Sequence, residues 1–342
     1  MDNMSDSMKT VAVLGGGSFG TALAQLAARQ GQEVRLWMRD AEQAQAINKT
    51  RHNPRYLSDF ELHENISATN SEQEALEGAD WVMVAVPSQA VRSCLNEAKK
   101  FLGEVPLVLA AKGIETQSLM TMDEVVYDVL GSAWENRTLA MSGPSFAKEI
   151  IQGMPTAVVM ACKDEALATR IADILFSDTF RAYTSTDIVG VEVGGALKNV
   201  MAIAAGGVIG MGWGHNVRAS LVTRGLSEIT RIAVAKGANP LTLSGLAGVG
   251  DLMLTCTGGL SRNRAVGQAL GEGKTLEQAQ ESIKQVAEGV ITAKSAYLLI
   301  EKLGVDCPII ETVYRVLYEG IPIDKAVQGL VERPTGQELQ YD

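Results

Sequence analysis

Residues 10–40 read TVAVLGGGSFGTALAQLAARQGQEVRLWMRD. An apolar β-rich run, a glycine turn, a helical stretch and a second β-rich run follow one another without a break. That order is the unit from which parallel sheets wrapped by helices are built. Gly15, Gly17 and Gly20 have the spacing G-x-G-x-x-G, directly after the first strand and at the opening of the helix. The first glycine permits a tight turn and the second lets backbone approach a pyrophosphate. The third allows helix and strand to pack closely, and the helix N-terminal amides supply the anion site. The spacing alone is weak, but the strand before it and the helix after it point to dinucleotide binding. At the end of the second strand stands Arg39, followed by Asp40. Arg39 is read as facing a 2′-phosphate, which admits NADPH beside NADH.

The same texture continues. Strands are expected at Trp81–Val86, Leu107–Ala111, Thr138–Met141 and Thr156–Ala161, each a continuous apolar run suited to a sheet covered on both faces. Helices are expected at Ala41–Lys49, Ser71–Leu76, Gln89–Phe101, Leu119–Leu130 and Asp164–Phe176, with a long loop over 51–65. From about Ile188 only helical spacing recurs, in Val189–Gly210, Val217–Lys236, Leu243–Leu254, Asn263–Leu270, Thr275–Gln280, Ile291–Leu303, Pro308–Glu319 and Ile323–Leu330. The expected architecture is an α/β Rossmann-type parallel-sheet domain over 9–187, followed by an all-α substrate domain over 188–335.

Composition narrows the function. A chain of 342 residues, 46% hydrophobic and 20% charged, suits two cores in a soluble globular protein. A formal net charge of −10 offers no global positive field for nucleic acid, so an anionic ligand must be held by a local site. Cys94, Cys162, Cys256 and Cys307 form neither a CxxC pair nor a metal pattern, and read as reduced buried thiols of a cytoplasmic protein. No metal is expected. The polar, acidic start MDNMSDSMK lacks the features of a signal peptide. The charge-free run Asn199–Asn216 has the length of a membrane span but is rich in glycine, and is read as a buried helix and turn.

Within that run's helix stands Lys198, with Gly194 and Gly195 one turn before it. The two glycines are expected to open a slot beside the lysine. Dry surroundings would lower the pKa of Lys198 and a carboxylate would raise it; Asp251, in GVGDLMLTC, is the candidate partner. Lys112 leaves the carboxyl end of a buried strand, where open α/β sheets place ligands, and Ser145 follows the Gly143-Pro144 turn of another strand. Ser261, Arg262 and Asn263 precede a helix and make an anion site there. Glu288 reads by default as a solvated loop glutamate.

Together GGGSFGTALA, VPSQAVR, AAKGIE, SGPSFAKEI, VEVGGALKNVMAIAAG, RASLVTRGLSEI, GLAGVGDLMLTC and SRNRAVG resemble the NAD(P)-dependent glycerol-3-phosphate dehydrogenases of the bacterial type, over about residues 9–330. The resemblance implies interconversion of dihydroxyacetone phosphate and sn-glycerol 3-phosphate with NADPH or NADH, supplying phospholipid synthesis, in a cytoplasmic homodimer that has no membrane span and binds no nucleic acid. It implies Lys198 as acid/base with Lys112 and Asp251 beside it. Gly143, Ser145, Ser261, Arg262 and Asn263 would join these three around a small phosphorylated three-carbon substrate. Gly15, Gly17, Ser18, Phe19, Gly20, Arg39, Lys112, Ala147, Arg262, Val286 and Glu288 would lie along the cofactor. His215 stands where the family shows a small or acidic residue, and is expected to alter the rim of the site.

Two other readings compete. Another two-domain dehydrogenase, of the ketopantoate-reductase or hydroxy-acid kind, would not need the phosphate-suited SRNRAVG site. A non-catalytic dinucleotide sensor would not need Lys112, Lys198 and Asp251 together.

Overall fold

The computed structural model describes residues 8–283 and 287–332. The chain divides into two compact units: one takes the residues up to Ala111 together with Met122–Ile188, the other Lys112–Thr121 with the chain from Val189 onward. Residues 112–121, which the sequence reading leaves in the first domain, therefore group with the helices.

The first unit runs β1 (Thr10–Leu14), α1 (Ser18–Arg29), β2 (Glu33–Trp37), α2 (Ala41–Thr50), β3 (Ile66–Thr69), α3 (Glu72–Leu76), β4 (Trp81–Val84), α4 (Val91–Ala98), β5 (Leu107–Leu109), α5 (Met122–Leu130), β6 (Thr138–Ser142), α6 (Ala147–Ile151), β7 (Thr156–Ala161), α7 (Glu165–Leu175) and β8 (Phe180–Ser185). The strands form one sheet in the order β3-β2-β1-β4-β5-β6-β7-β8, parallel throughout except for the antiparallel pair β6–β7. Strands β1, β4 and β5 are buried along nearly their whole length, which is why they read as unbroken apolar runs. The two edge strands, β3 and β8, go unread in the sequence because their burial alternates or fails. The helix expected from Leu119 begins only at Met122, since Leu119 takes a left-handed backbone with φ 62°.

The second unit is helical: α8 (Ile188–Gly210), α9 (His215–Ala235), α10 (Asp251–Thr257), α11 (Arg262–Gly271), α12 (Leu276–Ile283), α13 (Glu288–Leu303), α14 (Pro308–Tyr318) and α15 (Ile323–Val331). The expected helix Leu243–Leu254 is instead a 3-10 turn over Pro240–Ser244, a π turn over Leu246–Gly250 and then α10. Helix α8 is long and apolar enough to cross a membrane by composition, but 89% of its most apolar window is buried inside the protein, as in a core helix. Its glycines allow a close crossing with α11. A Cβ on Gly206 would fall 2.0 Å from the Arg264 carbonyl oxygen, and one on Gly267 would fall 1.9 Å from that of Ile203.

Candidate active site

In the sheet unit, the glycine turn has the form the fingerprint requires. Gly15 has φ 126°, and a Cβ there would lie 2.7 Å from the Ala85 backbone; a Cβ on Gly20 would strike the Gly15 carbonyl oxygen at 1.8 Å. Nothing lies within 4 Å of where a Cβ on Gly17 would be, so the turn is open where a pyrophosphate would approach. Gly17 is the N-cap of α1 and Ser18 and Phe19 open its first turn, leaving their amides at the helix start. The turn is braced from behind. Gln43 and Asn53, both buried, donate to the Gly16 carbonyl at 2.9 and 3.1 Å, and Asn53 also donates to the Thr21 hydroxyl at 2.9 Å. The residues present fit a dinucleotide.

Arg39 is exposed just beyond β2. The carboxylate of Asp40 is engaged elsewhere: Oδ1 caps α2 by accepting from the Gln43 N–H at 3.0 Å, and Oδ2 pairs with Arg55. The Gln43 N–H is the main cause holding the Asp40 carboxyl below its usual range. Gly143, with φ 135°, lets the chain pass tightly against β7, where a Cβ would meet the Val158 Cα at 2.9 Å. Ser145 turns back to donate to the Gly143 carbonyl at 2.8 Å, and Ala147 begins α6.

The helical unit holds a chain of three charges. Asp251, the first residue of α10, is 1% exposed. Its Oδ2 accepts from Lys112 Nζ at 2.7 Å and its Oδ1 accepts from Lys198 Nζ. Thr255, one turn on, donates to the Asp251 carbonyl at 2.6 Å. Burial alone would push the Asp251 carboxyl up, but the two flanking ammonium groups outweigh it and hold it below the usual range. Lys198 goes the other way. Burial lowers it most, Asp251 pulls it back and Lys112 repels it, leaving it near 8, down to about 8 from an ordinary 10.5. One carboxylate between two ammonium groups leaves a net positive charge beside the buried Lys198.

The slot expected beside Lys198 is not open at Gly194. A Cβ there would meet the Ala247 carbonyl oxygen at 2.6 Å and Leu243 at 3.2 Å, so this glycine serves the packing of the 243–247 turn against α8.

A second polar node lies where α8, α11 and α13 converge. Asn263 Nδ2 donates to Asn199 Oδ1 at 2.9 Å, and the Gly289 N–H donates to Asn263 Oδ1 at 2.9 Å. A Cβ on Gly289 would lie 2.5 Å from the Asn199 carbonyl oxygen, so the three helices meet backbone to side chain. Ser261 caps α11 by accepting from the Arg264 N–H at 3.2 Å, beside exposed Arg262. Glu288 is not a loop residue; it opens α13 and is half-buried. Val286 lies outside the described residues. His215 opens α9 at the surface, its ring against Arg218.

The structure thus gathers Lys112, Lys198 and Asp251 in one cluster and Asn263 with the start of α11, all in the helical unit. Gly15, Gly17, Ser18, Phe19, Gly20, Arg39, Gly143, Ser145 and Ala147 belong to the sheet unit. Sequence reasoning passed over Asn199, although it adjoins Lys198 on a buried helix where an amide requires a partner. It also passed over Gln43 and Asn53, which nothing in the local pattern singles out.

Residues 10–168 match the family model described as NAD-dependent glycerol-3-phosphate dehydrogenase N-terminus, and residues 187–328 match that of its C-terminus. The chain is 53% identical over 328 residues to a protein of Anaeromyxobacter sp. (strain K) named glycerol-3-phosphate dehydrogenase (NAD(P)+), covering 96% of this chain and 99% of that one. It is 51% identical over 328 residues to the protein of that name from Myxococcus xanthus, covering 96% and 98%. The crystal structure of glycerol-3-phosphate dehydrogenase from Coxiella burnetii superposes with a TM-score of 0.91 at 37% identity, covering 95% of this chain and 99% of that one.

Proposed function

This chain belongs to the NAD-dependent glycerol-3-phosphate dehydrogenase family, and we infer that it interconverts dihydroxyacetone phosphate and sn-glycerol 3-phosphate, a product used in phospholipid synthesis. A nicotinamide cofactor held at the Gly15–Gly20 turn would supply the hydride for reduction of the ketone and would accept it in the reverse direction. As hydride reaches that carbon, negative charge grows on the former carbonyl oxygen. Lys198 stabilises that oxygen and donates the proton that makes the alcohol, a task suited to an acid whose pKa has been brought down to about 8. Asp251 keeps Lys198 charged and orients it, while Lys112 adds a second positive charge to polarise the carbonyl.

In the helical unit Arg262, with Ser261, Asn263 and the first turn of α11, holds the phosphate, and the family resemblance adds Gly143 and Ser145 as substrate contacts. In the sheet unit the Gly15–Gly20 turn with Ser18 and Phe19 holds the pyrophosphate and Arg39 faces a 2′-phosphate; the family resemblance adds Lys112, Ala147, Arg262 and Glu288 as cofactor contacts. A cytoplasmic location is supported by four buried free thiols, and a homodimer by the family resemblance.

The buried Lys112–Asp251–Lys198 cluster is the observation that carries the reading. Its test is oxidation of NADPH and NADH with dihydroxyacetone phosphate, run beside free dihydroxyacetone. Arg262→Ala is expected to raise KM for the phosphorylated ketone by about 10- to 100-fold and to affect the free ketone much less. Equal effects on both would remove Arg262 from the phosphate, and no turnover of the phosphorylated ketone by the unaltered enzyme would refute the reading.

A further inference from the structure

Lys112 reaches Asp251 from an irregular stretch, 112-KGIETQSLMT-121. A lysine has four rotatable bonds in its side chain, so holding its ammonium against one carboxylate oxygen requires a fixed backbone and a supporting shell. The stretch is closed on itself: the Glu115 N–H donates to the Met120 carbonyl and the Leu119 N–H to the Glu115 carbonyl, both at 2.9 Å. Ile114 is fully buried in the helical core and sets the depth of the loop. Apolar burial is non-directional, however, and does not set the loop's rotation.

A directional contact to the helical core can. Thr116 Oγ1 and Ser295 Oγ are hydrogen-bonded at 2.9 Å, and Ser295 is fully buried on α13. Burying a serine where an alanine would pack costs stability unless its hydroxyl is paired, so the pairing is specific. The same helix, two turns earlier, donates the Gly289 N–H to Asn263. Helix α13 therefore holds the loop that carries Lys112 and, at its other contact, the asparagine at the start of α11.

We propose that Thr116 and Ser295 are positioning residues for the reaction: their paired hydroxyls latch the 112–121 loop to α13 and so hold Lys112 against Asp251. The proposal rests on the roles given above to Lys112 and Lys198. It has a consequence beyond stability. Among the described residues, the titratable groups that act on Lys198 include Asp251 and the Cys256 thiol on α10 and Lys112 on the loop; burial pushes the thiol up to about 12, which leaves it neutral. Burial lowers Lys198 most; Lys112 adds to that by repulsion, and it shares the carboxylate. When the latch is lost and Lys112 draws back, Asp251 serves Lys198 alone and Lys198 holds its proton to higher pH.

The test uses the full-length enzyme reducing dihydroxyacetone phosphate with NADPH from pH 6 to 10. Thr116→Val and Ser295→Ala are expected to lower kcat by about 10- to 100-fold, with KM changed less than about twofold, and to move the basic limb of kcat/KM upward. Thr116→Ser, which keeps the hydroxyl, is expected to restore both. The double variant Thr116→Val/Ser295→Ala is expected to cost no more than either single change. It leaves no orphaned hydroxyl, so it carries the same readouts if Thr116→Val does not fold. Lys112→Ala separates the two levels of the reading. If it leaves kcat and the limb unchanged, the role of Lys112 is wrong. If it changes them while the latch variants do not, the latch is wrong. A fall in kcat with an unmoved limb, or no rescue by Thr116→Ser, also overturns the latch.

Discussion

Replacing Asp251 by asparagine keeps the shape of the side chain and removes the charge that two lysines share. With a carboxylate oxygen roughly 3 Å from an ammonium nitrogen and an effective dielectric constant of about 20, each attraction is worth about 5 kcal/mol. The cost of removing one partner from a buried ion pair, about 3–5 kcal/mol, is of the same size. One pKa unit is about 1.4 kcal/mol, so Lys198, near about 8 in the intact cluster, is expected to fall by at least about 2 units in Asp251→Asn. At about pH 7.5 its protonated share then drops from about three quarters to about 3%, a loss of roughly 25-fold in ketone reduction. Since the loss is one of protonation, it shrinks as acid is added; near pH 5.5 the same two values leave less than about a twofold difference.

The assay is kcat/KM for dihydroxyacetone phosphate, followed by NADPH absorbance from about pH 5.5 to 9, with circular dichroism to confirm folding. The basic limb of the variant should lie below that of the parent enzyme. A loss of the same size at every pH, or a limb that stays in place, would refute the account of Asp251 as the charge that keeps Lys198 protonated.

Arg39→Ser is expected to raise KM for NADPH by about 10- to 100-fold and to leave NADH nearly unchanged, since Asp40 is engaged by Gln43 and Arg55; equal effects in steady-state kinetics would exclude the 2′-phosphate role. Glu228, buried on α9, accepts from the Ile309 and Ile310 N–H groups at 2.7 and 3.1 Å, yet burial pushes its carboxyl up to about 7. An acid raised above its ordinary value binds its proton more tightly in the fold, so its contribution is full at pH values below its ordinary pKa and is lost as pH rises through about 7, a change of about 3 kcal/mol. Glu228→Gln, which stays neutral, should therefore gain on the parent protein in urea unfolding between about pH 5 and 8; parallel stability curves would contradict this. Gly267→Ala would drive a methyl group to 1.9 Å from the Ile203 carbonyl oxygen. It is expected to destabilise by about 3 kcal/mol and, by parting Asn199 from Asn263, to raise KM for the substrate; unchanged melting and KM would show that the α8–α11 crossing can give.

What the sequence made legible follows burial. Strands covered on both faces announce themselves as apolar runs. The edge strands do not, because β8, FRAYTS, exposes much of its length and β3, ISAT, alternates. Lys198 and Asp251 could be paired from sequence because a charge within an apolar helix has to find a counter-charge. The role of Gly194 could not be read, because a missing side chain looks the same whether a ligand or the Ala247 carbonyl fills the space. Helix α6 is only five residues long, too short to show periodicity. The Leu243–Leu254 segment reads as one helix because its apolar spacing is helical, but Gly248, whose Cβ would strike the Leu243 carbonyl at 1.9 Å, belongs to a tighter succession of turns.

The excursion of residues 112–121 bears on how this protein can be cut and recombined. A fragment begun at Val189 would contain every long helix of the second unit, yet it would lack Lys112 and leave a void where Ile114 fills the core. Loss of a buried aliphatic side chain of that size costs about 2–5 kcal/mol, so such a fragment would lose stability and part of its charge cluster together. A chimera exchanging the helical half between relatives must carry this ten-residue insert along with it. The insert and the helices were shaped as one piece although some 70 residues of sheet-forming chain separate them, roughly half the length of an ordinary domain.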